Sequence, residues 1–239
     1  MLFRSEASMG CSLIYSHHKI LGQTWDIHKS ALDYVCLLHI DNSLVFSIFG
    51  CLGMMGVNAH KVAIGINNLS STDAKIGIIW PALVRKVLQQ KNAFDGKEVI
   101  MNSLLGSGHH YAIADENNFF AMETSGTKKS LITKNADNIY FHTNHCLCSN
   151  IAKNSYIRQG SNTLWRYDYL QQNINVDNAK TKEEVFLALK DVSITHEHTN
   201  SHATATCATI SIDIKDASMI ACQGISENKN LQDYMAKIL

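Results

Sequence analysis

Proline is nearly absent from this chain of 239 residues, with Pro81 standing alone, so no proline-rich linker divides it and the expectation is one domain. Net charge is also missing. Lys+Arg and Asp+Glu both number 21, and no basic stripe interrupts the balance, so there is no field to gather nucleic acid or an anionic membrane. No apolar run approaches the roughly 20 residues that span a bilayer. The opening MLFRSEASMG makes a poor signal peptide, because Arg4, Ser5 and Glu6 interrupt its apolar stretch. Seven cysteines are an odd number without framework spacing, which reads as reduced thiols in a cytoplasm-like compartment. What is present is a hydrophobic content of 46% against 18% charged residues, enough for a substantial core in a globular protein.

Short runs rich in β-branched, aromatic and aliphatic residues predict strands over Ser12–Tyr15, Ile20–Thr24, Tyr34–Ile40, Leu44–Phe49 and Lys61–Asn67. Trp80-Pro81 opens a helix, since proline in a first turn loses no hydrogen bond, and Leu83, Val84, Val87 and Leu88 share one face. Asp95-Gly96-Lys97-Glu98 has capping-box spacing and leads into a helix over Val99–Leu105. A hairpin of His110–Ala114 and Phe119–Glu123 follows, then a strand over Asn138–His142 and a helix over Ser161–Gln172. Thr181-x-x-Glu184 caps a last helix bearing Val185, Phe186 and Leu189. Strands over Thr204–Ile214 and Ala217–Gln223 flank a Lys215-Asp216 turn. Blocks of strands and pairs of helices are segregated rather than alternating, which argues for an α+β layered fold.

Two constellations invite a ligand and are set aside. His142, His145, Cys146 and Cys148, with His196, His198 and His202, offer zinc-type donors. Residues spaced by three on a strand alternate faces, however, so His142 and His145 are expected to point apart, and paired C-x₂₋₄-C spacing is lacking. Gly50-x-x-Gly53-x-x-Gly56 lacks the Lys-Ser/Thr of a phosphate loop and reads as a turn between strands. No metal and no organic cofactor is expected. The aliphatic and aromatic residues of the 161–172 and 181–190 helices read as core.

Three segments stand out together: Gly10-Cys11-Ser12 with Gly22-Gln23-Thr24-Trp25-Asp26, then Val62-Ala63-Ile64-Gly65-Ile66-Asn67-Asn68-Leu69, then Phe141-His142-Thr143-Asn144-His145-Cys146. In this order and spacing the chain resembles the peptidase C45 family, which includes the acyl-coenzyme A:6-aminopenicillanate acyltransferases and belongs to the N-terminal-nucleophile hydrolases. The resemblance runs from Cys11 to Gly224 and implies a four-layer αββα sandwich. It also implies a precursor that cuts its own chain between Gly10 and Cys11, so that residues 1–10 form a pro-segment and 11–239 the catalytic domain. Cys11 would then be the nucleophile and its freed α-amino group the base, with Asp26 holding that amine and Asn144 donating to the oxyanion. Trp25, Asn67 and Asn68 would line the substrate site. Glycine at position 10 suits an N→S acyl shift, because a residue without Cβ tolerates strained backbone.

The resemblance implies a self-processing cysteine amidohydrolase or acyltransferase working on a small-molecule amide, or on an acyl-CoA, through an acyl-cysteine intermediate. Two departures from the family stand out. Members usually carry a much longer segment before the nucleophile, so the ten residues here leave open a part encoded elsewhere, a truncated gene or a compact variant. A separate small subunit or a homo-oligomer would complete the pocket in the first case. The family also places an arginine near the late strands to meet a substrate carboxylate, whereas no arginine follows Arg166 and His202 falls near the expected place. Neutral or amine-bearing amides therefore suit the chain better than penicillin-like acids. The alternative is a catalytically degenerate relative that keeps the fold for binding, followed by a His/Cys metal-binding module.

Overall fold

The structure, a computed structural model, describes residues 10–134, 138–191 and 204–224 and the backbone of 232–235. The strands are β1 (Leu13–Ser16), β2 (Ile20–His28), β3 (Val35–Ile40), β4 (Ser43–Ile48), β5 (Met55–Asn58), β6 (Ala63–Asn68), β7 (His109–Ala114), β8 (Phe119–Thr124), β9 (Lys129–Lys134), β10 (Ile139–His142), β11 (Thr204–Asp213), β12 (Ser218–Gln223) and β13 (Gln232–Met235). The helices are α1 (Trp80–Val87), α2 (Ala93–Asn102), α3 (Ser149–Ala152), α4 (Thr163–Asn173) and α5 (Lys182–Leu189), with a 3₁₀ turn over Lys29–Tyr34. The first sheet has the order β10-β1-β2-β11-β12-β13, and the second runs β3 to β9 in chain order. Neighbouring strands in both are antiparallel.

Both sheets are covered on two faces, which explains why their strands read as nearly continuous apolar runs. Leu13, Tyr15, Leu21 and Ile210 of the first sheet pack against Ala63, Ala112, Ala114 and Ala121 of the second. Small side chains on the second sheet leave room for larger ones on the first, and Tyr15 stacks on Phe119 across the gap with ring centroids 3.9 Å apart. The outer face of the second sheet, carrying Ile64, Ile113 and Phe120, receives Leu83, Val84 and Val87 of α1 and Ile100 of α2. The outer face of the first, with Ile14 and Ile20, receives Leu170 of α4 and Val185 and Leu189 of α5. The result is the four-layer αββα sandwich. Among the described residues no helix is long and apolar enough to cross a membrane.

Local signals match the structure where they are chemically specific. Thr181 and Glu184 form the reciprocal capping box at the start of α5, and Pro81 sits in the first turn of α1. Three differences bear on the core and the site. The cap of α2 is Asn92, three residues before the expected Asp95: Asn92 accepts the Asp95 N–H at 2.8 Å, and the Ala93 N–H goes to Asp115 at 2.7 Å. The glycine-rich stretch does not end in a turn: Gly56 lies inside β5, where a Cβ would stand 2.2 Å from the Leu44 carbonyl oxygen. Strand β2 runs past Thr24 to His28, which places Trp25 and Asp26 inside a sheet rather than after it.

If the Tyr15–Phe119 stack carries the inter-sheet packing, Phe119→Ala should lower unfolding free energy by about 3–5 kcal/mol in a denaturant titration. Leu187→Ala, at an exposed position of α5, should stay within roughly 0.5 kcal/mol.

Candidate active site

Cys11 enters the first sheet beside β2. Gly10 and Asp26 exchange backbone hydrogen bonds, Gly10 N–H to Asp26 O at 2.9 Å and Asp26 N–H to Gly10 O at 2.8 Å. The Gly10 carbonyl is thereby gripped, and the Cys11 amide is turned inward. Its N–H donates to Asn144 Oδ1 at 2.8 Å, and its carbonyl accepts from Asn67 Nδ2 at 3.0 Å and Arg166 Nη1 at 2.9 Å. Cys11 is 6% exposed.

Asp26 is fully buried. One carboxylate oxygen accepts from Thr206 at 2.7 Å, next to a bulge in the β2–β11 pairing between Thr206 and Ala208. The other oxygen, Oδ2, has no hydrogen-bond partner among the described residues. A buried carboxylate oxygen without a donor is costly, of order 1–3 kcal/mol. It lies against Gly10, where a Cβ would come within 2.9 Å of Asp26 Oδ2 and 3.1 Å of Arg166 Nη2. Any larger residue would displace one or both of these side-chain ends.

Burial, then the nearby Asp26 carboxylate, pushes the Cys11 thiol up to about 12, although Arg166, Gln23 and the Asp26 N–H act in the opposite direction. With the Gly10–Cys11 peptide intact, the thiol therefore keeps its proton at neutral pH. Gln23 spans the two sheets, accepting the Ile66 N–H at 2.9 Å and donating to the Ile66 carbonyl. Cys11 opens onto a cavity of about 210 Å³ walled by Trp25, Ile48, Met54, Met55, Ile66 and Trp80, with Gly10, Asp26 and Asn68 at its polar end.

The sequence-derived residues thus converge from two strands, the segment ahead of β1 and one loop. Gly10, Cys11 and Asp26 meet Asn144, whose Nδ2 donates to the Asn68 carbonyl at 3.0 Å. Trp25 and Asn68 line the cavity. Asn67, expected on the substrate wall, is fully buried beneath Cys11 and bonds its carbonyl instead. His202 lies outside the described residues. His142 and His145 do not point apart, because the chain leaves β10 after His142, and their rings lie 6.5 Å apart, tilted by 21°. No group of three or more His, Cys, Asp or Glu side chains among the described residues is placed to hold a metal ion.

Sequence reasoning misses Arg166, because its helix reads as plain core. The residue is 1% exposed, and its guanidinium donates to Asn162 Oδ1, Cys11 O, Ser12 Oγ and Asn144 Oδ1 at 2.8–2.9 Å. The available signal is positional: Thr163, Arg166 and Leu170 fall on one face of α4 at spacings of three and four, so an arginine occupies the helix's inward stripe.

The αββα sandwich is the fold of the N-terminal-nucleophile hydrolases, and Cys11 lies just ahead of β1 at one end of it. Solved structures of similar fold include a cysteine-to-alanine mutant of conjugated bile acid hydrolase from Clostridium perfringens, at TM-score 0.60 and 11% identity over 95% of this chain and 92% of that one. Penicillin V acylase from Agrobacterium tumefaciens is also similar, at TM-score 0.53 and 11% identity over 91% and 84%. None of the curated proteins matches the chain in sequence. The family model of acyl-coenzyme A:6-aminopenicillanic acid acyl-transferase matches residues 15–227, and the chain belongs to that family. It is accordingly an enzyme of the hydrolase and acyltransferase class that works on carbon–nitrogen amide bonds.

The protonated state of Cys11 in the uncut chain has a measurable consequence. In protein whose mass still includes residues 1–10, iodoacetamide at pH 7 should label Cys148 well before Cys11. Despite some burial, hydrogen bonds from Ser130 and the Ile151 and Asn150 N–H groups hold the Cys148 thiol below its ordinary value. Cys11 labelling should rise about tenfold per pH unit through alkaline pH, since the reactive thiolate fraction grows until the pH reaches about 12.

Proposed function

We propose that the protein cleaves its own Gly10–Cys11 peptide bond and then uses Cys11 to take acyl groups from neutral N-acyl amides, passing them to water or to an amine. The observation that carries this reading is the unpartnered Asp26 Oδ2, buried beside the Gly10–Cys11 peptide whose nitrogen already bonds Asn144. Cleavage would turn that amide nitrogen into an ammonium and supply the missing donor.

In the first reaction Cys11 Sγ attacks the Gly10 carbonyl carbon. The oxygen of that carbonyl accepts the Asp26 N–H, which supports the negative charge as the tetrahedral intermediate forms. The C–N bond breaks, the thiol proton passes to the Cys11 nitrogen, and Gly10 is left as a thioester on Sγ. Water then releases residues 1–10 with a carboxylate at Gly10 and returns a proton to the thiol.

In the second reaction the free amine, with an ordinary pKa of about 7.7–8.0, accepts the thiol proton. Nucleophile and base then share one residue. Asp26 Oδ2 and Asn144 Oδ1 hold the amine in place. Asn144 Nδ2 has a second N–H beyond the one given to Asn68, and it donates to the oxyanion of the substrate amide. Collapse expels the substrate amine and leaves the acyl group on Cys11 until water or a second amine removes it. The cavity sets the acyl group: beside Gln23, Asp26, Asn68 and His109 its walls are apolar, and they include no lysine or arginine among the described residues, so a neutral aliphatic or aromatic acyl chain suits it better than a carboxylate.

The intact mass of the recombinant chain should show loss of residues 1–10 in wild type and retention in Cys11→Ala. A folded wild-type chain that keeps those residues would falsify the self-processing step. In processed protein Asn144→Ala should cut amide turnover by about 10²–10³, the usual cost of one oxyanion donor.

A further inference from the structure

Two buried side chains take no part in the chemistry above, yet the asparagines at Cys11 depend on both. Sheet register sets Asn67 of β6 opposite His110 of β7, and His110 opposite Glu123 of β8, so the three form a row across the second sheet. All three are fully buried and face β10 of the first sheet, where His142 stands. We propose that the Glu123–His142 pair is a positioning device that holds Asn144 and Asn67 against the two ends of the Cys11 peptide unit.

One arm runs through the backbone. Glu123 accepts from His142 Nε2 at 2.8 Å, from the Leu147 N–H at 2.6 Å and from the Cys148 N–H at 2.9 Å. His142 Nδ1 donates to the Thr143 carbonyl at 2.8 Å. The 143–148 loop is thereby fastened near its start by the imidazole and at its end by the carboxylate. Asn144 lies between these ties and meets the Cys11 nitrogen. Charge-assisted bonds of this length are strong and directional, suited to fixing a loop that carries an active group.

The other arm runs through ring stacking. His142 lies face to face with His110, centroids 3.7 Å apart and planes 3° from parallel. Asn67 gives its Nδ2 to the Cys11 carbonyl, so its Oδ1 must accept from His110 Nδ1 at 2.8 Å. His110 Nε2 then accepts from the Tyr140 hydroxyl at 3.1 Å. Burial and the neighbouring His142 hold His110 well below the usual imidazole range, in keeping with a neutral ring of fixed tautomer. The pair reaches Cys11 from both sides and touches neither its sulfur nor the cavity.

The inference rests on Cys11 as nucleophile, and its test separates the two. Full-length wild type, Cys11→Ala, Glu123→Gln, His142→Gln and Leu187→Ala are compared. Cell-free synthesis gives the half-time for loss of residues 1–10 by intact mass. Hexanoyl-p-nitroanilide gives kcat and KM, with kcat referred to active sites counted from the p-nitroaniline burst. Glu123→Gln keeps size and shape and removes the charge. It should slow self-cleavage and lower kcat per active site by about tenfold, with KM within twofold and the folded baseline intact in thermal melts. Leu187→Ala should match wild type. If folded Glu123→Gln and His142→Gln keep kcat per site and cleavage half-time within twofold of wild type, the positioning role is wrong while the nucleophile stands. The positioning role fails in the same way if the burst amplitude alone falls. If wild type behaves like Cys11→Ala in both readouts, the nucleophile reading fails and takes this inference with it.

Discussion

Everything at the working end of the sandwich hangs on the pair of hydrogen bonds exchanged by Gly10 and Asp26. They add one rung beyond β1 to its pairing with β2, and so carry the chain inward just where the cysteine falls. The same rung brings the Asp26 carboxylate against Gly10 and aims the Asp26 N–H at the Gly10 carbonyl. A side chain at position 10 would meet Asp26 and Arg166 at once, so any residue but glycine there would push the two side chains out of place. The bulge opposite, at Thr206, supplies the hydroxyl that occupies one Asp26 oxygen, and the other has no partner among the described residues.

A buried cation among side-chain oxygens and one backbone carbonyl is the second constraint. Arg166 is withdrawn from water, and such a group survives only when its donors are met. It directs them to Asn162, Cys11, Ser12 and Asn144, which ties α4 to β1 and to the loop after β10. Together with Asn67 and the Glu123–His142 pair it turns this end of the inter-sheet layer polar, while Leu13, Tyr15 and Phe119 keep the rest dry. Polar groups packed this closely specify one arrangement, because each bond lost strands a buried donor or acceptor.

Much of the fold is legible in the chain, for local reasons. The strands of the first block, Pro81 at α1, the Thr181–Glu184 box and the segregation of strands from helices each rest on neighbours in sequence. Errors arise where distant partners decide. Gly56 looks like a turn residue but serves β5 because the Leu44 carbonyl leaves no room for a Cβ. Strand β9, a half-exposed edge without strong alternation, gives no signal of its own. Of the candidate site, Gly10, Cys11, Trp25, Asp26, Asn68 and Asn144 can be picked out in sequence because they lie in recognisable short motifs, and the structure brings them together. Asn67 is readable in identity but not in direction, since a one-residue step along a strand reverses the face it serves.

By itself, then, the sequence determined most of the elements that form and which short motifs bring candidate reactive groups, for both follow from contacts within a few residues. Only the tertiary structure decided that Arg166 leaves the company of its helix to bond Cys11, that Asp26 is buried against Gly10, and that Asn67, His110 and Glu123 line up across three strands. Sheet register and layer packing set those relations between residues dozens of positions apart. No local preference encodes them, because their free energy comes from burial and exists only once the layers have closed.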